Sequence, residues 1–118
     1  MQLKISTRLM DGILVVDCNG RIVFGEESAY LRDTVKKHLA ETKNLVVNLG
    51  GVNYIDSGGL GTLVALYTTA RTNGGKIKLA HLTQRVGDLL QVTKLLTVFE
   101  TYDSEEEALE AFRKGAAA

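Results

Sequence analysis

A serine hydroxyl lies between an acid and two glycines in the segment YIDSGGLGTL, residues 54–63, where an apolar run passes into an amphipathic pattern. Ser57 follows an acid, Asp56, and precedes two glycines, Gly58 and Gly59. A serine in this setting can cap a helix, line a phosphate-binding loop, act as a nucleophile, or be presented to another enzyme. The surrounding residues weigh differently on each of these four possibilities.

The two chemical interpretations lack residues that they need. A common nucleotide-binding loop requires a lysine followed by serine or threonine, and no lysine lies near DSGGLG. The nucleophile turn of many hydrolases reads G-x-S-x-G, but Ile55 occupies the position two before Ser57. A serine nucleophile also needs a nearby base, and the histidines are His38, predicted on a solvated helix surface, and His81, at the end of a predicted strand. We therefore expect neither an enzyme nor a cofactor or metal site.

A helix cap is a simpler interpretation, but it does not explain the glycines. Either Asp56 or Ser57 can accept a hydrogen bond from the free amides of the next helix, a contribution of about 1 kcal/mol. Glycine in a first turn costs up to about 1 kcal/mol relative to alanine, so Gly58 and Gly59 need another reason. Small residues allow a second backbone to approach closely. Gly59 and Gly61 fit either a partner contact or close packing of the helix on the sheet, and we favour packing for Gly61.

A serine presented to a kinase has the clearest physical consequence. The free amides and the dipole at a helix N-terminus favour an added phosphate, so the local fold should survive phosphorylation. The phosphate adds about −1.5 to −2 charges, which an apolar or acidic partner surface docked there would not tolerate. A phosphate at Ser57 would therefore switch binding rather than folding, and we place the candidate partner contact at Asp56, Ser57, Gly58, Gly59 and Leu60.

Strand and helix patterns alternate along the chain and predict the order β-β-α-β-α-β-α-β-α. LKISTRL alternates as a strand does, and Asp11-Gly12 predicts a tight hairpin to the apolar run ILVVDC. NLVVNLG, KIKLAHL and TVFETY predict three further strands, which we expect to be parallel because helices connect them. The predicted helices are EESAYLRDTVKKHLAET, the segment from Ser57 to NGG, TQRVGDLLQVT capped by Thr83, and SEEEALEAFRKG, which opens with a capping box.

These elements predict a single α/β domain: a mixed, mostly parallel sheet of about five strands, an N-terminal antiparallel hairpin and about four helices. We place the domain at residues 1–114 and expect residues 115–118 to form a frayed tail. The length of 118 residues and the 45% hydrophobic content suffice for one core.

Charge and composition narrow the class of protein further. The 14 basic residues balance 14 acidic ones, which argues against general nucleic-acid binding and gives no reason to expect more than a monomer or weak dimer. No run approaches the roughly 18 apolar residues of a membrane helix, and the N-terminus lacks the pattern of a signal peptide. Cys18 is the single cysteine, and we expect it in the core or at an edge rather than as a redox sensor. We therefore expect a cytoplasmic protein without membrane insertion.

The sequence resembles the STAS domain, a family named for sulphate transporters and anti-sigma factor antagonists. The specific part is an apolar strand followed by IDSGGLG and the next helix, supported by NGGKIKL and FETYDSEEEAL. The similarity extends upstream through GILVVDCNGRIVFGEES and covers nearly the whole chain. It implies a small α/β fold with a mixed, mostly parallel sheet and helices chiefly on one side.

The resemblance also implies a function in protein binding. Stand-alone bacterial members bind an anti-sigma factor that is itself a serine kinase, and so release the sigma factor. The kinase inactivates the antagonist by phosphorylating the serine after the motif's aspartate, here Ser57, and a PP2C-type phosphatase restores it. Many antagonists carry serine or threonine where this chain has Gly58, a difference that loosens the first helical turn and alters kinase preference. The alternative is a non-phosphorylated STAS subunit of a transporter, lipid-trafficking or stress-sensing complex.

Overall fold

The computed structural model describes residues 1–117, which form five strands, four α-helices and one 3-10 turn. The order is the predicted one, with the 3-10 turn added before the last strand. The elements are β1 (Leu3–Met10), β2 (Ile13–Ile22), α1 (Glu26–His38), β3 (Asn44–Ile55), α2 (Ser57–Thr72), β4 (Ile77–Ala80), α3 (Gln84–Val92), the 3-10 turn (Leu95–Thr97), β5 (Glu100–Tyr102) and α4 (Glu105–Ala117).

The strands form one sheet in the order β1-β2-β3-β4-β5, with β1 antiparallel to β2 and every later pair parallel. Asp11 and Gly12 have φ of 55° and 78° and close the turn that sets Met10 opposite Ile13. Positive φ at both central positions is typical of the hairpin turn that Asp-Gly favours. The predicted hairpin and the parallel strands are confirmed.

Alternate residues along the central strands face two different hydrophobic cores. Leu14 and Val16 face the larger core, which α1, α2 and α3 cover. Val15 and Val46 face the smaller core, where Leu109 of α4 packs on the opposite side of the sheet. Three helices thus lie on one face and one on the other, which confirms the fold that the resemblance implied.

Strands β2 and β3 are longer than the apolar runs that predicted them. Their pairing shifts register between Asp17 and Asn19, and Gly51 lies where the side chain of Asn19 leaves no room for a Cβ atom. Beyond this irregularity and a second register shift between Gly20 and Arg21, the two strands continue until Ile22 pairs with Ile55. The extension carries both strands to the same edge of the sheet and places their ends beside the start of α2.

The last strand is shorter than predicted, and TVFETY was wrong as a strand over its first half. Lys94 has φ of 64° and leads into the 3-10 turn, in which the amides of Val98 and Phe99 bond back to Leu95. This turn buries Phe99 in the larger core, edge-on to Tyr67 at 5.6 Å between ring centroids. Burial of the aromatic ring therefore decides the local structure, and three residues remain to pair with β4.

The predicted caps of the last two helices are observed. The Thr83 hydroxyl accepts a hydrogen bond from the amide of Val86 at 3.3 Å, and that of Ser104 accepts one from Glu107 at 3.0 Å. Residues 115–117, assigned above to a frayed tail, continue α4, while residue 118 lies outside the described residues. The domain boundary at residue 114 stays a prediction.

Candidate functional site

The ends of β2 and β3 converge on the N-terminus of α2. The amide of Asp56 donates a hydrogen bond to the carbonyl of Ile22 at 3.3 Å, so the chain leaves β3 still joined to β2. Asp56 is the single residue between β3 and α2. This edge of the sheet therefore presents the free amides and the positive dipole end of a 16-residue helix.

Asp56, not Ser57, is the cap of α2. Its carboxylate accepts a hydrogen bond from the amide of Gly59 at 2.8 Å and others from the amide of Phe24 at 3.1 and 3.2 Å. The bond from Gly59, and then that from Phe24, favour the ionised form and hold the pKa of Asp56 below its usual range. One carboxylate thus fastens the connection between β2 and α1 to the first turn of α2.

Ser57 is the first residue of α2 and is exposed. Its hydroxyl makes no side-chain hydrogen bond to any of residues 1–117. His81 lines a separate cavity with Gly50 and Asp103, and His38 ends α1, so neither histidine is bonded to the serine. Ser57 therefore lacks, within residues 1–117, the hydrogen-bonded base that activates a serine nucleophile.

The glycines after Ser57 are required by contacts within the molecule. A Cβ atom on Gly59 would overlap the carbonyl oxygen of Ile22, and one on Gly58 would lie 2.5 Å from the Cβ of Phe24. Gly61 is exposed with nothing within 4 Å of its Cβ position, so our assignment of close packing to Gly61 was wrong. Gly59 is the residue that lets α2 pack closely on β2.

The residues predicted to bind a partner differ in accessibility. Ser57 is exposed, Asp56 and Gly58 are half-buried, and Gly59 and Leu60 are buried. Leu60 belongs to the larger core. In this conformation a partner can touch the first three residues, while the last two hold the helix in place.

Two neighbours of Ser57 were missed by the sequence analysis. The side chain of Phe24 is 81% exposed and lies against Gly58, and it forms one wall of an open groove of about 460 Å³ that includes Arg32 of α1. Phe24 is 33 positions before Ser57 in the sequence, so no spacing rule links them. The available signal was an aromatic residue followed by glycine at the end of a strand, just before a helix that starts with acids.

A cation–π cluster also lies near the end of β3. The guanidinium groups of Arg21 and Arg85 lie 5.1 and 4.4 Å from the ring centroid of Tyr54. Neither arginine has an ion pair within residues 1–117. This cluster adds exposed positive charge at the edge that carries Ser57.

The rest of the described chain offers no competing chemistry. Cys18 is buried, and burial raises the pKa of its thiol to about 12, which fits a core residue rather than a reactive one. Residues 1–117 contain no group of three His, Cys, Asp or Glu side chains that would hold a metal ion. None of the helices described is both long and apolar enough to span a membrane.

Residues 4–108 match the STAS domain family. The chain belongs to this family. The match covers most of the chain, including the IDSGGLG segment and all five strands except Leu3 at the start of β1. It therefore confirms the resemblance drawn from that segment.

Similar proteins share both the length and the fold of this STAS domain. The anti-sigma F factor antagonist of Paenibacillus polymyxa is 25% identical over 115 residues, which cover 92% of this chain and 94% of that protein. The crystal structure of an anti-sigma factor antagonist from Mycobacterium paratuberculosis has a TM-score of 0.81 at 25% identity and 94% coverage of both chains.

The Bacillus protein SpoIIAA has the same fold in two chemical states. Its unphosphorylated form has a TM-score of 0.77 at 16% identity, covering 95% of this chain and 96% of that one. Its phosphorylated form has a TM-score of 0.70 at 14% identity, covering 93% and 98%.

Proposed function

We propose that this STAS domain is an anti-sigma factor antagonist that binds a serine-kinase anti-sigma factor and is switched off by phosphorylation of Ser57. The observation that supports this proposal is the exposed hydroxyl of Ser57 on a fixed helix start. The similarity to antagonists from Paenibacillus and Mycobacterium supports the class of partner. A cytoplasmic location and a PP2C-type phosphatase that removes the phosphate complete the proposed cycle.

The local geometry suits phosphorylation without unfolding. The first hydrogen bond of α2 runs from the amide of Leu60 to the carbonyl of Asp56, so the amides of Ser57 and Gly58 precede the helical ladder. Free amides and the helix dipole are the groups that stabilise a phosphate. In the reaction the Oγ atom of Ser57 bonds to the γ-phosphorus of ATP, ADP leaves, and the hydroxyl proton passes to a base on the kinase.

The same phosphate opposes docking of the partner. Ser57 already lies beside the ionised Asp56, so phosphorylation places about −1.5 to −2 further charges next to an existing negative charge. A partner surface that buries Ser57 must then desolvate this charge, which is costly unless new cations pair with it. Phosphorylation therefore acts on the contact surface, and the fold keeps its shape.

Gly58 suits this switch although many antagonists carry serine or threonine in its place. A side chain at Gly58 would displace Phe24, whose Cβ atom would be 2.5 Å from the added carbon. Glycine replaces the usual serine or threonine at position 58 because Phe24 occupies the space that a side chain there would need. Ser57 remains the one hydroxyl of the segment IDSGGLG that phosphorylation can use.

The proposal predicts loss of kinase binding in Ser57→Asp. Wild type, Ser57→Asp and a charge-matched control, Ser6→Asp on exposed β1, are immobilised and incubated with lysate of the source organism and Mg-ADP, which does not support phosphate transfer. We expect wild type and Ser6→Asp to retain a serine-kinase anti-sigma factor identified by mass spectrometry. We expect Ser57→Asp to retain about tenfold less or none.

Phosphate incorporation provides the second readout. The captured kinase is purified and supplied with Mg-ATP. Intact-protein mass spectrometry should then show that wild type gains the mass of one phosphate and that Ser57→Ala gains none. Retention of transporter or scaffold subunits by wild type and Ser57→Asp alike would contradict the proposed function and favour the non-phosphorylated STAS subunit instead.

A further inference from the structure

Phe24 is an exposed aromatic side chain in a rigid setting. Its side chain is 81% exposed, yet its amide is bonded to the carboxylate of Asp56 at 3.1 and 3.2 Å. The residues around it are also fixed, because both the amide and the hydroxyl of Ser28 bond to the carbonyl of Val23, at 3.1 and 2.7 Å. The backbone that carries the ring is therefore held in place and is not part of a loose loop.

That position is tied to the phosphorylation site. The residue before Ser57 binds the amide of Phe24, and the residue after it, Gly58, lies against the Phe24 side chain. A kinase that transfers phosphate to Ser57 must enclose its hydroxyl and approach along this surface. Phe24 lies within the area that such an enzyme covers.

The groove beside Phe24 combines a shallow apolar floor with one cation. Its floor is made of small residues on two successive turns of α2, including Gly61 and Ala65. Arg32 of α1 also lines the groove and has no ion pair or side-chain hydrogen bond within residues 1–117. An apolar side chain fits between Phe24 and the floor, and a carboxylate complements the guanidinium of Arg32.

We infer that this groove, lined by Phe24, Arg32, Gly61 and Ala65, docks a segment of the Ser57 kinase that carries an apolar side chain next to a carboxylate. The inference rests on the proposed function and adds the contacts that choose the kinase. Exposed aromatic residues at the centre of a contact frequently dominate binding, since they bury a large area with little loss of side-chain freedom. Phe24 is the anchor of this contact, and Arg32 sets its charge preference.

The experiment measures phosphorylation kinetics with the kinase captured by wild-type chain, purified, and Mg-ATP. Phe24→Ala and Arg32→Glu should each raise KM for the antagonist about tenfold with kcat unchanged, because both remove binding that is equal in the ground and transition states. Phe24→Leu and Arg32→Lys should recover most of the loss. Matched controls are Val92→Ala, which is 79% exposed at the end of α3, and Lys36→Glu, one turn beyond Arg32; both should stay within about twofold of wild type.

The outcomes separate this inference from the proposed function. If wild type is phosphorylated at Ser57 and the two groove variants are kinetically normal, the groove inference fails and the proposed function stands. If no kinase is captured and Ser57 gains no phosphate, both fail. If Phe24→Ala alters self-association in sedimentation velocity but not the kinase KM, the groove is a contact between copies of this chain and the inference is overturned. Thermal melts of each variant establish that it is folded.

Discussion

From the sequence alone, either Asp56 or Ser57 could cap helix α2. Both are good capping residues, and they are adjacent. The structure gives the cap to Asp56, which bonds to the amides of Gly59 and Phe24. Because the aspartate accepts the hydrogen bonds of those amides, the hydroxyl of Ser57 does not cap the helix, and our proposal uses it as the phosphorylation site.

Asp56→Ala should destabilise the fold in a pH-dependent way. The substitution removes the acceptor for two amides, so we expect a loss of about 1–3 kcal/mol in the free energy of unfolding at pH 7. The pKa of Asp56 is lowered in the fold, so its ionised form stabilises the protein above the unfolded pKa of about 3.9, and this contribution is lost as pH falls through the folded value. The difference between variant and wild type should therefore shrink below about pH 4.

Urea unfolding at several pH values measures this difference. Asp56→Asn should lose less at pH 7, since an amide oxygen still accepts the bonds. Asp88→Ala serves as the control, because Asp88 is exposed on α3 and makes no side-chain hydrogen bond within residues 1–117. A loss in Asp56→Ala that is the same at pH 3 and pH 7 would show that the carboxylate charge does not stabilise the cap.

At the scale of elements, helix α2 can lie close to β2 because Gly59 has no side chain. Gly59 faces the sheet with Leu63, Leu66 and Ala70, at spacings of four, three and four residues. Gly61 lies on the opposite face with Ala65. Two glycines two positions apart on one helix therefore have opposite environments.

Alanine at these two positions should change stability in opposite directions. Gly59→Ala places a methyl group against the carbonyl of Ile22 and should cost about 1–3 kcal/mol of unfolding free energy. Gly61→Ala meets open space and should stabilise the helix by up to about 1 kcal/mol. Chemical denaturation of both variants provides the measurement. Equal stability of Gly59→Ala and wild type would mean that α2 can move away from β2 without cost.

The features predicted correctly from the sequence depend on local chemistry. Asp11-Gly12 specifies its own turn, and Thr83 and Ser104 cap the helices that immediately follow them. The shortened β5 and the overlooked Phe24 concern contacts between distant segments, but the error at Gly61 does not. The spacing of Leu63 and Leu66 along α2 places Gly59 on the buried face and Gly61 on the exposed face. The helical pattern alone therefore argued against packing at Gly61.

The candidate site shows the same division between local and distant information. Ser57 and Asp56 are recognisable because the motif is contiguous, whereas Phe24 approaches Gly58 only after β2 and β3 pair side by side. The shortened β5 likewise results from burial of Phe99 against Tyr67 of α2, which its own segment does not encode. Pairing of β2 with β3 brings Phe24 to Ser57 and Gly58, and the residue pattern of either segment alone does not predict this contact.

At the scale of the whole molecule, the exposed side chain of Ser57 lies outside both hydrophobic cores, although the residues on either side of it help to hold α2 in place. The larger core lies between the sheet and helices α1 to α3, and α4 closes the smaller core on the other face. Ser57 contributes its side chain to neither core. A change confined to the hydroxyl of Ser57 should therefore have little effect on the free energy of unfolding.

Phosphorylated chain should accordingly keep the fold and stability of wild type. Amides at the start of α2 favour the phosphate while Asp56 repels it, so the opposing effects should leave the melting temperature within about 3 °C. SpoIIAA keeps this fold in both its unphosphorylated and phosphorylated forms, with TM-scores of 0.77 and 0.70 to this chain. Hydrogen exchange should change only in the first turn of α2 and in residues 23–25. Altered exchange throughout α3 and α4 would instead mean that phosphate acts by loosening the domain, and that loss of partner binding is a consequence of unfolding rather than of charge at the contact.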